Sequence, residues 1–540
     1  MTVHRPHSCG QLPFAVAGTA LLGLVATIAS ASVIKVGTAS NEVALLSDDV
    51  ALIMDGTDPC CVTSSTPWLE PPAGYLAEAQ KFIVPHFPGY TSVGLAIPDQ
   101  LAPTTGLDSE PFGISLQQGT DVLNTAISND IDAGDGVVAF GYSQSATVET
   151  MELERLAALP ADARPSPDQL AFVMIGDGNN PDGGLLERFD GAFIPSLDAS
   201  FSGATPADVY PTDIYTLQYD GWADFPQYPA NILADLNAFF GIDYVHGTYP
   251  LLTPEQIASA PELSTVGDTM THYYLVPTQN LPLLEPLQQL GAPQWLIDLI
   301  QPDLRVLIDL GYGTGPANVA TPAELFNTDV NPITVADDLV KGTVQGMNNA
   351  LTALGLPDLP AQLTGPIGAV ETALGTLADQ INPAVQATND GLQHAANSVV
   401  VPAQLADALS PVSGAISSLS ASLSQLVDDQ IDPAIQGAVY GTGDLLRDTL
   451  ASAGAPSHVE LGIYITEQLL PTELETPGTL LTNDVYFVAA GLQDLAANNF
   501  AGFLQELQLI PTADISLSLF AGLLPVLGLE DLIAGVPFNL

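Results

Sequence analysis

Between residues 49 and 313, short apolar runs alternate with amphipathic stretches, and this alternation narrows the fold more than any other feature of the chain. Short apolar runs suit strands, and longer stretches with one apolar face suit helices laid across them. The pattern therefore predicts an α/β fold, with a mainly parallel sheet flanked by helices. Val50–Met54 and Thr91–Ile97 read as the first strands, and Ser115–Asn129 as a helix with Leu116, Val122, Leu123 and Ile127 largely on one face. Val137–Phe140 reads as a third strand and Ser143–Leu159 as the helix that follows it. Ala171–Ile175, Ile214–Tyr219 and Tyr273–Val276 complete the strands, with helices over Ile232–Phe240 and Trp295–Leu310.

At 540 residues the chain is long enough for two or more domains. Nine Lys and Arg against 61 Asp and Glu give a net charge of −52. Such a surface opposes nucleic-acid binding, which needs cations facing phosphates, and opposes holding anionic lipid headgroups by charge alone. Only 13% of residues are charged while 47% are hydrophobic, so the chain can bury a core and is not an acidic disordered polymer. Three cysteines cannot make a disulfide framework. Cys60 and Cys61 are adjacent, a strained geometry for a mutual bridge, and read as free thiols or half of an intermolecular link. No Cys or His pair stands at ligand spacing, so neither a metal nor a cofactor is assigned.

Residues 1–31 have a weakly basic start (His4, Arg5, His7), an apolar run Phe14–Ile28 and the small-residue site Ala29-Ser30-Ala31, the plan of a secretory signal. The uncharged stretch Leu12 to Ile34 is also long enough to anchor the chain in a membrane. A linker over 32–48 then leads into an α/β domain over 49–315. After a second linker, 316–345, an Ala/Leu/Ser-rich and mostly helical region fills 346–540. Beyond Lys341, Arg447 is the only Lys or Arg. Ile367, Val370, Leu374, Leu377 and Ile381 make one heptad-like stripe, and Val412, Ile416, Leu419, Leu423 and Leu426 another, both suited to helix-on-helix packing. Asp379–Gln386 recurs in similar form at Asp429–Gln436, a duplicated helical element. The region reads as a helical appendage on the catalytic domain or on itself, with an envelope- or lipid-contacting module as the functional alternative.

The chemistry concentrates at Gly141-Tyr142-Ser143-Gln144-Ser145, directly after one predicted strand and directly before a helix. A strand-to-helix turn of this form is a nucleophile elbow, because small flanking residues let the backbone turn sharply and leave the serine Oγ exposed. Ser143 is the candidate nucleophile; an ordinary helix N-cap serine is the plain alternative. Its base should follow it in chain order, which demotes His86. His272 opens a strand, and His394 and His458 lie in the helical tail, so His246, in the loop after Ile232–Phe240, leads. For the acid, Asp220 and Asp224 compete after Ile214–Tyr219, with Asp177 a third choice; Asp224 is favoured. The oxyanion hole needs backbone N–H groups aimed at the developing charge. Gln144 should supply one, and Gly56 or Thr57, after the first strand, the other.

Several motifs, in order, carry a family resemblance: Gly141-Tyr-Ser-Gln-Ser-Ala-Thr147, Asp177-Gly-Asn-Asn-Pro181 with Gly183-Gly184 and Arg188-Phe189, Tyr219-Asp-Gly-Trp-Ala-Asp-Phe-Pro226 and Val245-His-Gly-Thr-Tyr249. Asn280-Leu-Pro-Leu-Leu284 follows, then Pro302-Asp-Leu-Arg305 and Gly311-Tyr-Gly313. Together they resemble the PE-PPE domain of mycobacteria and related actinomycetes, a serine α/β hydrolase similar to cutinases, over roughly residues 49–313. The resemblance implies a Ser-Asp-His triad falling on Ser143, Asp224 and His246, and makes a serine in the last elbow position a family habit. The family's early Gly-Thr-Gly stands here as Gly56-Thr-Asp58, and an export-like segment stands where the PE or PPE helical domains would be. An export segment joined to this domain also looks like the envelope acyltransferases that acylate trehalose glycolipids.

The expectation is an α/β-hydrolase fold followed by a mostly helical region, in an exported, secreted or envelope-associated serine esterase of the lipase type. It would cleave acyl esters or glycolipids through an acyl-enzyme on Ser143. An acyltransferase between envelope glycolipids is the alternative, and a non-catalytic envelope or adhesion protein a second.

Overall fold

Val137–Tyr142, Leu170–Ile175 and Thr212–Leu217 are buried almost end to end, which is what strands need when helices cover both faces of a sheet. The molecule is described here by a computed structural model covering residues 49–57, 68, 70–102, 105, 109–426 and 479–534, with isolated positions at 435, 437, 439, 441 and 476. Residues 1–48, Cys60, Cys61, His458 and most of the second repeat unit lie outside the described residues.

In chain order the elements are β1 (Val50–Ile53), α1 (Ala73–Ile83), β2 (Thr91–Gly94), α2 (Phe112–Ala133), β3 (Val137–Tyr142), α3 (Gln144–Ala157) and β4 (Leu170–Ile175). Then come α4 (Leu185–Arg188), the short antiparallel pair β5 (Phe193–Ile194) and β6 (Ala199–Ser200), β7 (Thr212–Leu217), α5 (Ile232–Tyr244), α6 (Pro254–Ala258) and β8 (Thr271–Val276). Helices α7 (Glu285–Gln289), α8 (Gln294–Asp309), α9 (Pro332–Ala353), α10 (Ala361–Asn397) and α11 (Ala403–Leu426) follow. The described residues end in α12 (residues 479–496) and α13 (Phe500–Ala534).

Six strands form one sheet in the order β2-β1-β3-β4-β7-β8, every neighbouring pair parallel. Successive residues of a strand point to opposite faces, so each strand feeds two cores. Val137 and Ala139 of β3 join Leu116, Leu123 and Ile127 of α2 and Val148 and Leu153 of α3 on one face. Val138 and Phe140 join Ala79, Phe82 and Ile83 of α1 on the other. The chain runs from β1 out to β2, then back past β1 to β3. Strand order therefore reverses between β1 and β3, and a crevice opens beyond their carboxyl ends, the place where such sheets bind ligands.

Two departures from the sequence reading matter. Helix α1 went unforeseen, since it turns only Ala79, Phe82 and Ile83 fully inward. Helix α9 begins within the stretch read as a linker. Gly342 and Gly346 let it lie against α8, because a Cβ at either would run into Asp303 or the Leu299 carbonyl. The C-terminal helices pack on the catalytic domain: Phe487, Leu509 and Ala513 belong to the same core as β3 and α3. Asn483 exchanges hydrogen bonds with both backbone groups of Phe193. Among the described residues, no helix is long and apolar enough to cross a membrane.

Candidate active site

Ser143 sits where β3 turns into α3, with φ 56° and ψ −115°. A non-glycine residue in that region is strained, and such strain persists only where the surroundings enforce it. Here they do. Ser143 N–H donates to the Ile175 carbonyl of the neighbouring strand. Ser145, in the last elbow position, accepts from Tyr142 N–H at 2.7 Å and donates to the Tyr142 carbonyl at 3.1 Å, closing the turn from inside. Gly141 must lack a side chain, because a Cβ there would stand 2.6 Å from the Ser145 carbonyl oxygen.

His246 begins the 3-10 turn that follows α5. Its Nε2 lies 2.7 Å from Ser143 Oγ. Gly176, at φ +61°, makes room for the ring; a Cβ there would approach His246 Cε1 to 3.0 Å. The Tyr142 hydroxyl donates to the His246 carbonyl at 2.6 Å, and the rings of Tyr142, Tyr249 and Trp222 surround the imidazole at 5.4–6.4 Å.

The acid beneath His246 is Asp220, a correction to the preference for Asp224. Asp220 is fully buried and lies 2.8 and 2.9 Å from His246 Nδ1 through its two carboxylate oxygens. It also accepts from the Tyr249 hydroxyl at 2.8 Å and from Trp222 N–H at 3.0 Å. With Nδ1–H donated to Asp220, Nε2 is left to accept from Ser143, the tautomer a general base requires. The Asp224 carboxylate instead accepts from Tyr219 N–H at 2.7 Å. Tyr219 has φ +67°, so Asp224 braces the strained residue next to the acid and does not meet the imidazole. Burial pushes the Asp224 carboxyl up to about 7 against the lowering effect of that hydrogen bond and of Arg188. Asp177 accepts from Asn179 N–H and the Thr205 hydroxyl, and burial raises it to about 6.

The other histidines of the described residues lie elsewhere. His86 pairs with Asp213 at 2.5 Å, at the opposite end of β7 from Asp220, and His272 pairs with Glu262 at 2.7 Å. His394 is in α10.

Three residues were expected at the oxyanion hole. Gln144 opens α3, so its N–H is among those a helix leaves without an internal acceptor, at the positive end of the helix dipole. Gly56 N–H is directed to the Asp55 carboxylate at 2.9 Å, which corrects its role. Gly56 matters by lacking a side chain, since a Cβ would stand 3.2 Å from Ser143 Cβ. Thr57 is tied to the elbow, its hydroxyl accepting from Gln144 Nε2 at 3.1 Å while the same amide nitrogen donates to the Gln100 carbonyl at 2.8 Å. Sequence reasoning did not single out Tyr142 or Tyr249 as partners of the site; their places in the two motifs were the available signal.

Comparison with known proteins follows the same lines. The PE-PPE domain model matches residues 88–313. The chain is 40% identical to "Esterase PE16" of Mycobacterium tuberculosis over 480 residues, covering 88% of this chain and 78% of that protein. It is 32% identical to "SL1278 acyltransferase Chp1" of the same organism, over 52% of this chain and 68% of that protein. It is 31% identical to "Diacyltrehalose acyltransferase Chp2", over 45% and 68% respectively.

Proposed function

The chain belongs to the PE-PPE domain family, and from that premise and the site geometry we propose that it is a serine esterase cleaving acyl esters through an acyl-enzyme on Ser143. One observation carries the proposal: an unbroken line of hydrogen bonds from Ser143 through His246 to Asp220, at the crevice beside the strand-order reversal. His246 takes the Ser143 proton as Oγ attacks the ester carbonyl. Asp220 holds the imidazole and stabilises its cation, while the Gln144 and Thr57 amides receive the oxyanion. His246 then returns the proton to the leaving alcohol. A water deprotonated by His246 attacks the acyl-Ser143 carbonyl and frees the acid.

The relatives named as acyltransferases support a second reading, in which a glycolipid hydroxyl replaces water as the acceptor. Both readings take an acyl ester or glycolipid as substrate. The composition of residues 1–31 supports export, so the proposal extends to an enzyme outside the cytoplasm; fractionating cells and sequencing the mature N-terminus tests it.

A fluorophosphonate probe tests the chemistry. Wild type should label and Ser143→Ala should not; equal labelling of both would remove Ser143 from the mechanism. Incubation with an acyl-glycolipid and a sugar acceptor separates the two readings, free acid marking hydrolysis and acylated sugar marking transfer.

A further inference from the structure

We propose that Tyr249 is a positioning residue of the catalytic base, holding the Asp220 carboxylate in place and tempering the charge it presents to His246. The proposal rests on the triad described above. The Tyr249 ring is fully buried among Tyr142, Tyr215 and Val245, where a phenylalanine would fill the same space. Its hydroxyl is what needs explaining. Leu217 N–H, the last amide of β7, donates to that oxygen at 2.8 Å. An amide nitrogen can only donate, so the phenol proton is left to point at Asp220 Oδ2, 2.8 Å away. The hydroxyl thus bridges the end of β7 and the acid, across the turn that contains the strained Tyr219.

The bridge has an electrostatic consequence. Asp220 receives three donors: His246 Nδ1–H, Trp222 N–H and the Tyr249 hydroxyl. Each spreads the carboxylate charge, and a buried anion that loses one donor attracts its remaining cationic partner more strongly. Burial and the neighbouring Asp220 charge both hold the Tyr249 phenol well above its ordinary range. The other groups facing His246 are Ser143, the Tyr142 ring on β3, with Asp55 beyond it, and the Trp222 ring. Asp220 is the charged group that bonds the imidazole.

The test follows the titration of His246 by NMR in the full chain with labelled histidine, beside the pH dependence of kcat for a p-nitrophenyl ester. Tyr249→Phe should raise the His246 midpoint by about half a pH unit, move the acid limb of kcat upward by the same amount and lower kcat three- to tenfold. A fluorotyrosine at position 249, a stronger donor, should move the midpoint down. Tyr210→Phe removes another buried hydroxyl, one that donates to the Pro165 carbonyl, and should move nothing. A His246 midpoint unchanged in both position-249 variants overturns the proposal, because packing alone would not make the midpoint follow donor strength. If wild type turns over no ester, the esterase reading fails, while the NMR midpoints still decide whether Tyr249 acts on His246. Should Tyr249→Phe fold poorly, the fluorotyrosine variant, which keeps the ring and the hydroxyl, gives the answer.

Discussion

The catalytic sheet and helix α11 place side chains by opposite rules. In the sheet, large apolar residues point inward, and a few residues are forced into unusual backbone at strand ends: Ser143 and Tyr219, with Gly176 between them in space. In α11 the pattern inverts. Ser413 and Ser420 are buried, whereas Leu405, Val412 and Leu419, seven residues apart, stay about half exposed. A regular heptad therefore located the helix but not the depth of each member: Ile416 and Leu423 of the same stripe are partly buried, and spacing does not report the small residues that close helix packing selects. Irregularity marks the site, and regularity marks the scaffold.

That contrast can be broken, most forcefully at the elbow. Ser143→Ala should lower turnover by about 10⁵–10⁶-fold with an unchanged circular dichroism spectrum, since members of a triad act as a unit. The two aspartates sharpen it. Asp220→Asn should cost about 10³–10⁴-fold in kcat by presenting the wrong tautomer of His246. Asp224→Asn should stay within about tenfold and show itself in thermal stability, because it braces a turn. Comparable losses in kcat for the two variants would return Asp224 to the catalytic line.

Stability separates the regions next. Phe487→Ala in α12 should destabilise the whole protein by about 3–5 kcal/mol in urea unfolding, since Phe487 is buried in the core shared with the sheet. Leu405→Ala or Val412→Ala in α11 should change stability by about 0.5 kcal/mol or less. Two separate unfolding transitions, with only the later one sensitive to Phe487, would mean that the tail and the sheet do not share a core.

A further effect is in pH. Asp177, Glu187 and Asp224 are raised by burial to about 6, 8 and 7, above their ordinary range near 4. A carboxyl raised by folding binds its proton more tightly in the folded state. Its contribution is therefore full below its unfolded value and is lost as pH rises through the folded one. The urea midpoint should fall between pH 5 and pH 8, and Asp224→Asn should remove part of that slope. A midpoint that rises over this range would contradict the assignment.

Much of this was legible in the sequence, for reasons that differ by residue. The strands were readable because a sheet covered on both faces needs continuous apolar runs. Ser143 was readable because the elbow needs small residues at fixed offsets, and His246 because chain order and loop position left few rivals. Asp220 was weighed and ranked second. Its position at the strand end is an ordinary turn signal until the 3-10 turn carrying His246 and Tyr249 folds over it. Gly56 was read as a donor, whereas the neighbouring Asp55 side chain takes its N–H, a local bond that sequence does not order.

The buried Arg188 bears on where the catalytic piece of this protein can be cut. Its Nε donates to the Phe225 carbonyl at 3.0 Å, in the loop that carries the acid, and its guanidinium also reaches the carbonyl and hydroxyl of Thr321. The chain around Thr321 is sewn down as well, Ala323 N–H donating to the Arg188 carbonyl and Glu324 N–H to that of Gln227. Thr321 lies eight positions past the last residue of the family match. A recombinant fragment trimmed to the family boundary would take the Thr321 acceptors from this buried cation and leave it the Phe225 carbonyl and the carboxylates of Asp182 and Glu187, whereas one ending beyond Glu324 would keep the full set.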